Sequence, residues 1–69
     1  MKIIKQIGMF WLTTDCGFQT SFTKVERLPH EIFLHAPAGN GLYQCRGWLT
    51  NANDISVFLT AFALAGGVL

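Results

Sequence analysis

The sequence predicts an α+β domain: a four-stranded antiparallel β-meander with one C-terminal helix packed on one face. From Lys2 to Thr14 the chain is rich in Ile, Phe, Trp and Thr, which favour a pleated surface, and from there to Leu49 short runs are separated by turn and breaker signals at Asp15–Gly17, Pro29 and Ala36–Gly41. From Thr50 onward a polar cluster (Thr50, Asn51, Asn53, Asp54) opens into an apolar run without a charge, which reads as a helix behind its cap. The 69 residues, 51% hydrophobic and 13% charged, suffice for a single domain over residues 1–69 and are the opposite of a disordered composition.

Residues Lys2–Thr14 are expected to form one long first strand, closed by a short turn at Asp15, Cys16 and Gly17. A second strand runs from Phe18 to about Glu26, with Phe18, Thr20 and Phe22 sharing a face. Arg27–His30 breaks it, because Pro29 removes a ladder donor and restricts the residue before it. The third strand is Glu31–His35, and Ala36–Gly41 is the clearest loop, its Asn40-Gly41 pair being a strong hairpin signal. The fourth strand, Leu42–Leu49, leads into the helix. There Thr50 or Asn51 can cap the first turn, Asp54 complements the helix dipole, and Gly66 and Gly67 end the helix. Ile55, Phe58, Leu59 and Phe62 make one buried stripe. A second apolar stripe, Val57, Ala61 and Leu64, exceeds what a sheet on one side can cover, so a homodimer through the helix or insertion into a partner's groove is expected.

The two-residue period of strands, with charges kept outward, sorts the faces. It turns Tyr43, Cys45, Gly47 and Leu49 inward with Ile32, Leu34, Ile4, Phe10 and Leu12, and sends Ile3, Lys5, Ile7 and Met9 outward. The outer face then carries Trp11, Phe33, His35, Arg46 and Trp48, too apolar a set for water alone and the residue types that anchor protein interfaces. A bulge near Gly8 would change this by flipping half of the first strand and returning Trp11 to the core.

Few other chemistries are written in the chain. A net charge of +1 offers no broad field for nucleic acid and excludes a DNA mimic built on acidity. Single-stranded bases could stack on Trp11, Phe33 and Trp48, with Lys5, Lys24, Arg27 and Arg46 on phosphates, and this is the weaker alternative for the same face. His30 and His35 have zinc-finger spacing, but Cys16 and Cys45 lack the close pairing of a metal knuckle, and the face assignment puts His35 and Cys45 on opposite sides. No metal or other cofactor is expected. Cys45 reads as a core residue and Cys16 as a turn residue, with nothing local to lower a thiol pKa and no Cys/His nucleophile. The carboxylates Asp15, Glu26, Glu31 and Asp54 are scattered, and Gly39-Asn40-Gly41 lacks the lysine of a phosphate loop. No catalytic constellation emerges.

The N-terminus lacks the apolar core and cleavage site of a signal peptide, so a cytoplasmic protein with reduced thiols is expected, a Cys16–Cys45 disulfide being the alternative. The terminal apolar run is shorter than the ~20 residues of a spanning helix, and no membrane partner is expected. A chain this short that opens Met-Lys-Ile-Ile-Lys and closes with one helix after Trp48-Leu49-Thr50-Asn51 resembles, in layout, the small inhibitors encoded by bacteriophages, including some anti-CRISPR proteins. The resemblance implies a non-enzymatic protein in a bacterial host cell that occupies a surface on a host protein or complex and so blocks it.

Overall fold

The computed structural model describes residues 1–69 and holds six strands and one helix. Strands β1 (Lys2–Gln6), β2 (Met9–Thr13) and β3 (Gln19–Phe22) form one antiparallel sheet. Strands β4 (Lys24–Leu28), β5 (Glu31–Gly39) and β6 (Leu42–Leu49) form a second, and α1 (Ala52–Leu64) follows. The α+β class, the antiparallel pairing and the C-terminal helix are as expected. The four-stranded count is not, and each discrepancy has a local cause.

The expected first strand is a hairpin. Gln6 faces Met9 across the ladder and leaves Ile7-Gly8 as a two-residue loop, with φ of 54° and 72°. These are the angles of a type I′ turn, whose twist matches that of its flanking strands. Asn40 and Gly41 take the same conformation, φ 53° and 73°, between β5 and β6. Asparagine suits such a site; isoleucine hides it from a sequence reading, because a β-branched residue rarely adopts positive φ. Ile7 is 90% exposed, so no packing offsets its strain. Ile7→Asn is therefore expected to stabilise the protein by about 1 kcal/mol. In a chain of this size that raises the melting temperature by roughly 4–8 °C; a lower melting temperature in calorimetry would refute the assignment of the turn.

The expected second strand bends at Thr23, which alone separates β3 from β4 and whose N–H donates to the His35 carbonyl at 2.9 Å. The chain thus passes from one sheet to the other without a loop. Phe18, expected on this strand, stays outside it and is exposed. β4 continues to Leu28, which pairs with Glu31 around the Pro29-His30 turn. β5 extends past His35 to Gly39, carrying Pro37 in the strand beside an irregularity in register, where a missing donor is tolerated.

The core draws Ile3, Leu12 and Phe22 from the first sheet, Ile32 and Leu34 from the second, and Phe58 and Phe62 from the helix. The helix therefore closes the space between two sheets rather than lying on one. Its stripe of Ile55, Phe58, Leu59 and Phe62 faces inward as expected. On β1 the assignment reverses: Ile3 is buried and Ile4 exposed. Ile3 pairs with Leu12 and Lys5 with Phe10, so Lys5 belongs to the inner row at its open end. Its ammonium sits 5.5 Å from the Phe10 ring centroid, which lets the stem cover the ring while the charge reaches water. Keeping every charge on the outer face misreads such a residue.

The Asn51 side chain caps the helix, accepting from the N–H groups of Asn53 at 2.9 Å and Asp54 at 3.2 Å. At the other end Gly66, φ 90°, donates to the Ala63 carbonyl and Gly67 to that of Phe62, at 3.0 and 2.8 Å. This is a Schellman motif, which satisfies carbonyls the helix leaves free. Of the second stripe, Ala61 packs against the core, whereas Val57 is exposed and Leu64 is 85% exposed. No helix is long and apolar enough to cross a membrane.

Candidate protein-docking face

The outer side of the second sheet is built from three transverse rows. Glu26, Phe33 and Trp48 are register partners across β4, β5 and β6; Lys24, His35 and Cys45 form the next row, and Pro37 and Tyr43 the one beyond. Alternation along β5 puts Ile32, Leu34 and Ala36 in the interior and so leaves Phe33 and His35 on the other side. The Phe33 and Trp48 rings lie 6.0 Å apart and parallel to within 4°, and the His35 ring continues the series 6.3 Å from Phe33. Trp48 Nε1 donates to Glu31 Oε1 at 3.1 Å. Its ring is thus held on one side by Phe33 and at its edge by a carboxylate, while 61% of the residue remains exposed.

A bulge in β6 decides what else joins the face. Gly47 pairs with Leu34 but Cys45 pairs with His35, leaving Arg46 as the extra residue. Beyond it the alternation inverts, so Tyr43 and Cys45, expected in the core, lie on the outer face and are exposed. His35 and Cys45 accordingly share a side. Glu26 Oε1 lies 3.5 Å from His35 Nε2, but no group of three His, Cys, Asp or Glu side chains converges closely enough to hold a metal ion. Gly47 is the signal that could have located the bulge, since an isolated glycine inside a strand pattern often marks one. Its own position demands it: a Cβ there would stand 2.9 Å from Leu34 Cδ1.

The five residues singled out from sequence divide into two groups. Phe33, His35 and Trp48 form the continuous aromatic series. Trp11 lies on the outer side of the first sheet, opposite Ser21 in register, its Nε1 donating to the Gln6 carbonyl at 3.3 Å. Arg46 reaches the same row, its Nη1 donating to the Ser21 hydroxyl at 3.3 Å. Lys24, not part of the expected set, lays its ammonium 5.3 Å from the Tyr43 ring centroid. The carboxylates Glu26 and Glu31 are left among the aromatic rings with no lysine or arginine within 4.0 Å.

Two concavities lie elsewhere, both lined in part by Met1 and Val57. One, about 430 Å³, is lined by Thr14, Asp15, Cys16, Asn53 and Asp54 among others. The Thr14 hydroxyl, 3.1 Å from Cys16 Sγ, and then the Phe18 backbone hold the Cys16 thiol below its ordinary pKa, a local effect the sequence did not announce. Neither histidine lines this cleft. Both cysteines are free and exposed, so Cys45 is not the core residue expected. The second concavity, about 340 Å³, is lined by Met1, Ser56, Val57, Thr60, Ala61 and Leu64 and carries no charged side chain.

Comparison with known proteins adds no relative: no family model matches the chain, and no curated protein or solved structure is detectably similar to it.

Proposed function

We propose that this is a small, non-catalytic binding protein that acts by occupying a surface on a protein partner, with the outer face of the β4–β5–β6 sheet as its docking surface. The supporting observation is Trp48, a large ring mostly open to solvent yet held by Phe33 and Glu31. Such a side chain surrenders little conformational freedom on binding, which is how rigid aromatic anchors come to dominate interfaces. His35 and Tyr43 extend the surface, and Arg46 and Trp11 mark its continuation onto the first sheet. An inhibitor of a bacterial host complex, the class that the layout resembles, is the form of this activity we favour, with action in the cytoplasm.

Tagged protein and its Trp48→Ala variant, each used to capture partners from bacterial lysate with and without nuclease, test the proposal. Loss of the indole is expected to weaken capture about 30-fold, the effect of an interface anchor worth about 2 kcal/mol, while the circular dichroism spectrum stays unchanged. Equal capture by both proteins would reject the site. Capture that vanishes with nuclease would point instead to single-stranded nucleic acid stacked on the same rings, a reading the carboxylates of exposed Glu26 and half-buried Glu31 disfavour because they repel phosphates. The uncharged groove along Val57, Ala61 and Leu64 further supports a homodimer, which sedimentation as a monomer at high concentration would exclude.

A further inference from the structure

We propose that the docking face recognises an arginine side chain of its partner, stacked on Trp48 and paired with Glu31; the inference rests on that face being the docking surface. The chain as a whole carries net charge +1, yet the charges beside the Phe33–Trp48 pair are two carboxylates, Glu26 in its row and Glu31 at the indole edge. The nearby cations turn away from that pair, the Arg46 guanidinium to Ser21 of the first sheet and the Lys24 ammonium to Tyr43 at the far end of the face. Glu26 and Glu31 have no lysine or arginine counterpart within 4.0 Å. Glu26 also has His35 Nε2 at 3.5 Å, so Glu31 is the carboxylate that an apolar partner covering Trp48 would strip of water and leave uncompensated, a penalty of interface burial that complementary charge removes.

The geometry around Trp48 narrows the cation. Phe33 occupies the neighbourhood of one indole face with its ring parallel, and the residue's exposure leaves the rest of the ring to the partner. Glu31 uses Oε1 to hold the indole N–H, which leaves Oε2 as an acceptor at the ring's edge. A planar guanidinium can lie over the ring, drawn by its quadrupole, and direct an N–H toward that oxygen in one placement. A lysine ammonium supplies the charge without the stacking plane.

The test uses the intact protein and two blocked pentapeptides, alternating arginine with threonine or citrulline with threonine. Citrulline keeps the shape and hydrogen-bonding plane of arginine and lacks its charge. In nuclear magnetic resonance titrations the arginine peptide is expected to shift the Trp48 indole N–H and the amides of Glu31 and Phe33. The citrulline peptide should bind about tenfold more weakly, the worth of one partly desolvated cation contact. Glu31→Gln should narrow the difference between them to the part that the indole ring alone supplies, and an unchanged difference would overturn the pairing with Glu31. Equal affinity for the two peptides, shifts that map away from this face, or no binding of either in the millimolar range would each overturn the proposal. Failure here with Trp48→Ala still losing its lysate partner would discard the arginine alone; retention of the partner by that variant would discard the face itself.

Discussion

Phe22→Ala is expected to leave the protein largely unfolded in buffer. Phe22 is fully buried and stands at the meeting of all three layers. Its ring stacks 5.5 Å from Phe10 of its own sheet and lies 5.9 Å from both Phe58 and Phe62 of the helix. Truncating a buried phenylalanine costs about 3–5 kcal/mol, because the transfer energy of the ring is lost and the surrounding groups collapse only in part. A chain of this length has roughly 3–10 kcal/mol of stability in total, so one such cavity removes most of it. Urea denaturation followed by tryptophan fluorescence would measure the loss. A cost below about 1 kcal/mol would mean that Phe22 is not where three layers converge.

The next largest effect is expected from Gly67→Ala, and the reason is space rather than backbone angle. A Cβ at Gly67 would fall 2.4 Å from Cε1 and Cζ of Phe62, a ring only 4% exposed and hemmed in by Phe10, Phe22 and Phe58. Either the ring leaves its place or the bond from the Gly67 N–H to the Phe62 carbonyl breaks, at about 1–3 kcal/mol. Gly66→Ala is the control. Its φ of 90° strains a side chain, but nothing lies within 4 Å of the new methyl, so its cost should be near 1 kcal/mol. Thermal melts of the pair test this, and a larger loss for Gly66→Ala would contradict the packing of the Phe62 ring against the chain end.

What could be read in advance followed from periodicity and caps. The helix, its inner stripe of Ile55, Phe58, Leu59 and Phe62, the Asn51 cap and the Asn40-Gly41 turn all rest on signals confined to a few neighbouring residues, and such signals survive folding. The misreadings have a common origin in strand register, where one unpaired or turning residue inverts every position beyond it. Ile7-Gly8 turned one strand into two, with isoleucine in a place where asparagine would have announced the turn. Arg46 inverted the lower half of β6 and exchanged Tyr43 and Cys45 between core and surface. Lys5 misled the face assignment of β1 because its stem lies on the inner row while its charge escapes at the end. Phe33, His35 and Trp48 are legible together because Phe33 and His35 alternate along one unbroken stretch of β5 and Trp48 pairs with Phe33 before the bulge at Arg46 is reached. Trp11 and Arg46 were placed with them only by treating two sheets as one.

The pairing of strands solely with their neighbours in the chain also has a kinetic consequence. No ladder has to close a connection longer than residues 14–18, so each sheet can zip from its own turn at little entropic expense. The contacts that span the chain are those between the helix and β1, where Phe58 and Phe62 meet a core that includes Ile3. Docking of the helix is therefore the step that must search. Amide exchange along α1 should respond to its undocking while the two sheets remain zipped, so the molecule opens like a lid over its phenylalanines before its strands part.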